Sequence, residues 1–177
     1  MKVKIYVTGF EPFGGRTTNT SLMVSNLVNC DKRFELKVGW DYIDKSLDDI
    51  LLEEPDVLIL MGEAGSYKNM TIERVAHNIA NGLDNYGIRK DNEKINDELD
   101  NLETKVDVSF NDVDYISGND AGKYLCNFTY YKALEKTLNK KTKVLFIHYP
   151  YTKDDGGEFS LEDFVNRTNR IIKYLKA

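Results

Sequence analysis

Residues 56–62 read Asp-Val-Leu-Ile-Leu-Met-Gly, an uninterrupted apolar run that ends at a glycine. Such a run, without polar alternation, is typical of a central strand that is covered on both faces. Residues 3–8 and 143–148 form two similar runs, and residues 34–42 alternate apolar and polar side chains as a strand does. Segments with apolar residues at helical spacing lie between and after these runs, at residues 20–28, 47–52, 122–138 and 160–175.

This alternation of strands and helices predicts an α/β fold with three layers, α/β/α, around a mostly parallel twisted central sheet. The length of 177 residues predicts a single domain, residues 1–177. In such folds the functional site lies at the carboxyl ends of the strands. Gly9, Gly62 and His148 all fall at predicted strand ends, so we expect the loops that follow them to converge.

The composition of the chain indicates which partners and which cellular compartment to expect. Hydrophobic residues make up 41% of the chain and charged residues 30%, which is typical of a soluble globular protein. The net charge of −5 and the absence of a basic stripe argue against nucleic acid as a partner. No apolar run approaches the roughly 18 residues of a membrane span, and the N-terminal residues do not resemble a signal peptide. We therefore expect a cytoplasmic protein with no membrane partner, in which Cys30 and Cys126 are thiols.

Other kinds of site find little support. No cluster of cysteine and histidine has the spacing of metal ligands, so neither a metal nor a cofactor is expected. The Gly/Pro-rich loop at residues 9–15 lacks the Gly-Lys-Ser/Thr ending of a phosphate-binding loop, and its two phenylalanines would better form the walls of an apolar slot. Residues 91–104 carry six acidic side chains against one lysine, which predicts a solvated loop or edge segment without an assigned function.

A thiol, an imidazole and a carboxylate, the parts of a cysteine hydrolase, occur on three separate segments. Cys126 lies within the first turns of a predicted helix, where the helix dipole and a nearby imidazolium lower the pKa of a thiol. His148 ends an apolar strand, so its ring should reach the rim of the sheet as a general base, which Glu73 could orient. Simpler interpretations stay open from spacing alone: a buried hydrophobic Cys126, a core His148, and a Glu73 that pairs with Arg74.

Four motifs occur along most of the chain. Residues 7–15 read Val-Thr-Gly-Phe-Glu-Pro-Phe-Gly-Gly, and residues 72–78 read Ile-Glu-Arg-Val-Ala-His-Asn after Gly62-Glu-Ala-Gly65. Residues 121–127 read Ala-Gly-Lys-Tyr-Leu-Cys-Asn, and residues 146–150 read Phe-Ile-His-Tyr-Pro. In this order, the motifs resemble those of the pyroglutamyl peptidase type I family of cysteine peptidases, also called pyrrolidone-carboxylate peptidases.

The resemblance implies an α/β/α domain that removes 5-oxoproline from peptides with N-terminal pyroglutamate, which would be its partners. It makes Cys126 the nucleophile, His148 the base and Glu73 the orienting carboxylate. Phe10 and Phe13 match the residues that sandwich the lactam ring. The other substrate-binding residues that the resemblance implies are Asn19, Glu63, Tyr124 and Leu125.

The chain departs from the family pattern at four places. Gly65-Ser-Tyr-Lys68 stands where the family has Gly-Gly-Arg or similar. Glu63 replaces a usually neutral residue, and its charge should raise the pKa of the thiol. Tyr124 replaces an aromatic residue that is often phenylalanine. The chain is short for the family between about residues 90 and 117, so the oligomeric state does not transfer and a homo-oligomer stays open.

Two alternative functions stay open. The departures at Glu63 and Tyr124, with the shortened middle, would suit a thiol amidohydrolase of altered N-terminal specificity. A relative that binds peptides without turnover is the other alternative. The retention of all three triad residue types counts against it, because a binding protein has no need of them.

Overall fold

The computed structural model describes all 177 residues, Met1–Ala177. It contains ten strands and four α-helices, with two short 3₁₀ turns at Trp40–Tyr42 and Lys153–Asp155. In chain order the strands and helices are β1 (Ile5–Phe10), α1 (Thr20–Ser25), β2 (Lys32–Leu36), α2 (Ile43–Leu51), β3 (Val57–Glu63), β4 (Thr71–Glu73), β5 (Val75–Ala76), β6 (Ala80–Leu83), β7 (Arg89–Glu93), β8 (Leu102–Glu103), β9 (Ile116–Gly118), α3 (Leu125–Lys136), β10 (Lys143–Tyr149) and α4 (Leu161–Lys176).

Six strands form one sheet in the order β2-β1-β3-β10-β4-β9. The first four of these strands are parallel to one another. β4 runs antiparallel to β10, and β9 runs parallel to β4. Two short antiparallel ladders, β5 with β8 and β6 with β7, lie outside this sheet. The predicted α/β class with a mostly parallel sheet is confirmed.

Helices cover both faces of the sheet. Side chains alternate along β3, so Leu58 and Leu60 pack with residues of α2 and α3. Ile59 and Met61 pack on the opposite face with residues of α1 and α4. All seven residues of β3 are buried, which explains why this strand is apolar throughout.

The first helix is shorter than predicted. α1 ends at Ser25, and Leu27 beyond it is 57% exposed. Its N-cap is Asn19. The Asn19 side-chain oxygen accepts hydrogen bonds from the N–H and the hydroxyl of Ser21 at 2.9 and 2.6 Å.

The predicted strand at residues 34–42 is only partly correct. β2 ends at Leu36, and the chain then enters the turn Trp40–Tyr42. Val38 and Trp40 are nevertheless buried in the same cluster as Leu36. The alternation thus identified the buried face but not the backbone conformation, because a loop can bury every second residue too.

The last helix begins as its sequence predicts. Ser160 is the N-cap of α4, and its hydroxyl accepts a hydrogen bond from the Asp163 N–H at 3.1 Å. No helix in the protein combines the length and the apolar character that crossing a membrane requires. Cys30 and Cys126 are both free thiols, and no group of three or more His, Cys, Asp or Glu side chains is placed to hold a metal ion.

The acidic segment, residues 91–104, is a mostly exposed edge that contains β8 and the end of β7. Asn78 holds it in place. The Asn78 side-chain oxygen accepts hydrogen bonds from the N–H groups of Ile95 and Asn96 at 2.8 and 2.9 Å. Its amide group donates to the carbonyls of Asn96 and Leu99 at 2.7 and 2.8 Å. The segment is exposed, as predicted, but hydrogen bonds of the Asn78 side chain fasten the backbone of residues 95–99.

Candidate active site

The carboxyl ends of β3 and β10 bring the predicted nucleophile and base together. Gly62 on β3 and His148 on β10 are direct register partners. Cys126 is the second residue of α3, and its thiol packs on Gly62. A β-carbon at Gly62 would lie 2.5 Å from Cys126 Sγ, closer than side chains approach in proteins. The missing side chain at Gly62 therefore allows the thiol to reach the sheet next to His148.

Glu73 approaches the imidazole from the neighbouring strand. On β4, Glu73 pairs with Phe146, two residues before His148 on β10. Glu73 Oε1 lies 3.2 Å from His148 Nδ1, and both residues are buried. Because Glu73 has no exposed surface, its interpretation as a surface ion-pair partner of Arg74 is wrong.

The two ring nitrogens of His148 have different surroundings. Nδ1 faces Glu73, whereas Nε2 makes no hydrogen bond to any protein group, the Cys126 thiol included. The ring contacts Phe146 at a centroid distance of 4.7 Å and Tyr67 edge-on at 5.3 Å. When His148 donates its Nδ1 proton to Glu73, the ring is held in the tautomer whose Nε2 lone pair is free to accept a proton.

The helix that carries the thiol is fastened to the strand that carries the carboxylate. Tyr130 lies one turn after Cys126 on α3, so both side chains project from the same face of the helix. Tyr130 Oη donates a buried hydrogen bond of 2.8 Å to the Glu73 backbone carbonyl. Its ring packs against Phe146 at a centroid distance of 5.5 Å. These contacts fix α3 relative to β4 and β10.

A cluster of aromatic side chains lies at the start of α3. Phe13 and Tyr124 are both half-buried, with ring centroids 5.9 Å apart and planes at 42°. Trp40 packs edge-on against Tyr124 at 5.6 Å, and the sequence had not indicated it as part of this region. Tyr124 Oη donates a hydrogen bond of 2.7 Å to the Leu83 carbonyl. The Tyr124 hydroxyl is thus engaged by the protein.

Phe10, Asn19 and Leu125, among the predicted substrate contacts, are buried in the structure. Phe10 and Leu125 are each 1% exposed and belong to the core beneath α2 and α3. Asn19 is also 1% exposed, and besides capping α1 it donates a hydrogen bond of 3.3 Å to the Glu11 carbonyl. The substrate contacts that the resemblance implied for these three residues stay predictions, and in this structure the three side chains have almost no free surface.

Residues 3–106, more than half of the chain, match the family model described as pyroglutamyl peptidase. The chain belongs to the pyroglutamyl peptidase family. Relatives in this family extend the similarity to the segments of Cys126 and His148. The chain is 35% identical to the pyrrolidone-carboxylate peptidase of Thermosipho melanesiensis, with 97% of both chains covered. It is 34% identical to that of Fusobacterium nucleatum, with 97% of this chain and 92% of the relative covered.

Solved structures of pyroglutamyl peptidase family members share the fold. The pyrrolidone carboxyl peptidase from Fervidobacterium islandicum AW-1 superposes with a TM-score of 0.89 at 26% identity, and the match covers 99% of both chains. The one from Thermococcus litoralis gives a TM-score of 0.88 at 28% identity, with 98% of this chain and 92% of that chain covered. The arrangement of layers and strands is therefore that of the family.

The thiol of this pyroglutamyl peptidase family member is protonated at neutral pH. Burial raises the pKa of Cys126 to about 12, and the negative charges of Glu63 and Glu73 add to the rise. The predicted direction of the Glu63 effect is confirmed. The expected lowering of the thiol pKa at the helix start is outweighed, because desolvation penalises the thiolate.

Glu63, which departs from the family pattern, has its carboxylate hydrogen-bonded to other residues of the protein. It accepts hydrogen bonds from Arg16 Nε at 2.8 Å, from the Thr20 N–H at 2.6 Å and from the Thr20 hydroxyl at 3.0 Å. Only 2% of the Glu63 side chain is exposed. The contact between Glu63 and substrate stays a prediction, and in this structure both carboxylate oxygens are paired within the protein.

Arg16 is a residue of the site region that the sequence did not reveal. Its guanidinium also stacks on the Tyr151 ring at 3.9 Å and contacts Asp155 at 3.2 Å. It thereby joins the loop after β1 to the end of β3 and to the segment after β10. No spacing rule relates a loop arginine to a carboxylate 47 residues later, so only the fold could show this pair.

Proposed function

We propose that this protein is a cysteine exopeptidase that removes N-terminal pyroglutamate, 5-oxoproline, from peptides. The observation that carries the proposal is the packing of the Cys126 thiol on Gly62, the register partner of His148. Glu73 supports the imidazole at Nδ1 from 3.2 Å. A nucleophile, a base and an orienting carboxylate are the parts that thiol hydrolysis requires.

In the proposed reaction, His148 Nε2 accepts the thiol proton while Cys126 Sγ attacks the carbonyl carbon that joins 5-oxoproline to the next residue. Because the resting thiol is protonated, this proton transfer accompanies the attack. The imidazolium then protonates the leaving amine, the C–N bond breaks, and a 5-oxoprolyl thioester remains on Cys126. Water that gives a proton to His148 hydrolyses the thioester, and the thiol recovers that proton as it leaves.

Backbone N–H groups at the start of α3 are the proposed stabilisers of the oxyanion. The first N–H groups of a helix have no carbonyl partner within the helix, and they carry its positive dipole end. The N–H of Cys126 is one of these groups. A second donor from the loop after Gly62 would complete the oxyanion hole.

The half-buried rings of Phe13 and Tyr124 support selectivity for a closed lactam. A neutral ring can pack against an apolar aromatic surface, whereas the ammonium of an open N-terminal glutamate would lose its hydration there without a partner. The Tyr124 hydroxyl had suggested an altered N-terminal specificity. Its hydrogen bond to the Leu83 carbonyl leaves the ring face as the part of Tyr124 offered to substrate.

The proposal includes a cytoplasmic location and no nucleic-acid partner. Two free thiols are usual in a reducing compartment, and a net charge of −5 disfavours contact with phosphate backbones. Homo-oligomerisation remains a hypothesis, and gel filtration with light scattering would decide it.

Release of a chromogenic amine from its 5-oxoprolyl amide tests the proposed function. The wild type, Cys126→Ala and Cys30→Ala should be assayed together, with prolyl and glutamyl amides as competing substrates. We expect turnover of the 5-oxoprolyl amide alone, lost in Cys126→Ala and retained in Cys30→Ala. A folded, reduced wild type that releases no amine would refute the function, and equal turnover of the prolyl amide would refute the specificity.

A further inference from the structure

Tyr67 stands in the segment where the chain departs from the family pattern. The Tyr67 N–H donates a hydrogen bond of 3.0 Å to the Ala64 carbonyl, which closes a turn between β3 and β4. This turn directs the side chain towards the triad. The Tyr67 ring meets the His148 ring edge-on, with a centroid distance of 5.3 Å and planes at 71°.

The hydrogen bonds of the Glu73 carboxylate are few for a fully buried group. Oε1 faces His148 Nδ1 at 3.2 Å and receives a hydrogen bond from Tyr67 Oη at 3.0 Å. Oε2 has no partner and faces Gly118, where an added β-carbon would lie 2.6 Å away. Tyr67 is therefore the only side-chain donor to this carboxylate other than the catalytic base.

The Tyr67 hydroxyl is well suited to remain a donor. Burial and the neighbouring Glu73 charge hold the pKa of Tyr67 well above its usual range, so the hydroxyl keeps its proton throughout the pH range of an enzyme assay. Tyr67 Oη also lies 3.0 Å from the Asp120 backbone carbonyl. A hydroxyl has a single proton, and an ionised carboxylate is a stronger acceptor than a carbonyl.

These contacts connect two parts of the site that different segments carry. Asp120 lies in the loop that leads into α3, and its carboxylate accepts a hydrogen bond from the Gly122 N–H at 2.9 Å. Tyr67 thus touches the carboxylate that orients the base and the loop that precedes the nucleophile. Without its hydroxyl, the Glu73 carboxylate would be fixed by His148 alone, the group that it must orient.

We propose that Tyr67 is a positioning residue of the catalytic site, whose hydroxyl fixes the Glu73 carboxylate and through it the His148 ring. The proposal deepens the proposed function and rests on it for its kinetic readout. Tyr67 has no ring contact with Phe13 or Tyr124, so it should affect the chemical step and leave substrate binding unchanged.

The test compares Tyr67→Phe with Tyr174→Phe. Tyr67→Phe keeps the ring against His148 and removes only the hydroxyl. Tyr174→Phe is the matched control, because Tyr174 Oη also binds a carboxylate, Asp112, at 2.8 Å but on the exposed surface of α4. We expect Tyr67→Phe to lower kcat about tenfold with KM within about twofold, and Tyr174→Phe to match the wild type.

A double-mutant cycle separates positioning from a general structural role. In a Glu73→Gln background, Tyr67→Phe should change kcat less than about twofold, because the hydroxyl acts through the Glu73 carboxylate. An equal loss in both backgrounds would overturn the proposal. So would a Tyr67→Phe variant whose kcat stays within about twofold of the wild type.

A readout that needs no substrate distinguishes this proposal from the proposed function. The chain has two histidines, so proton NMR with a His77→Gln variant assigns the downfield Nδ1–H resonance of His148 by difference. Tyr67→Phe should shift or broaden this resonance, and Tyr174→Phe should not. If the wild type proves inactive, the proposed function fails and this resonance alone decides: a change supports positioning by Tyr67, and an unchanged resonance overturns it.

Discussion

Arg16 and Glu63 lie 47 positions apart in the chain, and their side chains form an ion pair of 2.8 Å close to Cys126, the proposed nucleophile. The Glu63 charge is one of the causes that raise the pKa of the Cys126 thiol. Because Arg16 offsets that charge, it limits how strongly Glu63 disfavours the thiolate. Substitution of Glu63 and substitution of Arg16 should therefore shift the pKa of the Cys126 thiol in opposite directions.

Replacement of Glu63 by glutamine should make the thiol more reactive. Glu63→Gln removes a negative charge near Cys126, which stabilises the thiolate and moves the thiol pKa down from about 12. The rate of alkylation by iodoacetamide, followed from pH 7 to 10 in a Cys30→Ala background, should therefore be higher at each pH than in the parent. An unchanged or slower rate would show that the Glu63 charge does not reach the thiol.

Replacement of Arg16 should have the opposite effect. Arg16→Gln leaves the Glu63 charge without its partner, so the pKa of the Cys126 thiol should rise further and kcat/KM should fall several-fold. The free energy of unfolding should also decrease by about 2 kcal/mol. Arg33→Gln is the matched control, because Arg33 binds a backbone carbonyl and no carboxylate. The double variant with Glu63→Gln should recover most of the lost kcat/KM, and a double variant as impaired as Arg16→Gln would contradict this account.

The contact between Gly62 and Cys126 predicts a steric effect on catalysis. In Gly62→Ala the new β-carbon would meet Cys126 Sγ at 2.5 Å and Phe146 Cζ at 2.8 Å, so the thiol must move from its position next to His148. A displacement on this scale typically costs about a hundredfold in rate, so we expect kcat to fall by about that factor. Circular dichroism should show that the variant is folded, and a folded variant with wild-type kcat would contradict the proposed position of the nucleophile.

Asn78 should control the order of the acidic segment. Asn78→Ala removes four hydrogen bonds to the backbone of residues 95–99, so we expect a loss of about 2–3 kcal/mol in the free energy of unfolding. Limited proteolysis should become faster within residues 91–104. The exposed Asn139, replaced by alanine, serves as the control. Equal proteolysis of the two variants would show that Asn78 does not fasten the segment.

The sheet could be predicted from the sequence because its signal is local. An apolar run such as residues 57–61 reports burial on both faces, and each position contributes to that signal independently. The direction of β4 could not be predicted, since Thr71–Glu73 is only three residues long and carries no sign of antiparallel pairing. That pairing is nevertheless what brings Glu73 to His148.

The motifs indicated which segments approach the site but not which side chains are free within it. Phe10, Asn19 and Leu125 lie in the matched motifs, yet burial leaves them almost no surface for a substrate. The contacts of Arg16 with Glu63 and of Tyr67 with Glu73 depend on loops whose paths only the folded chain defines. Pairwise contacts between distant segments carry no local pattern, so the sequence alone could not reveal them.

The hydrogen bond from Tyr130 to the Glu73 carbonyl ties α3, which carries the Cys126 thiol, to the sheet, which carries His148. The distance between the proposed nucleophile and the proposed base therefore depends on how these two layers pack. The thiol belongs to a helix and the imidazole to a strand, so a helix that slides by a fraction of its width would separate them while both elements stay intact. Hydrolytic rate should consequently respond to loosened packing earlier than any measure of secondary structure does. For this protein, the turnover rate should therefore detect loosened packing between helix and sheet before secondary-structure content does.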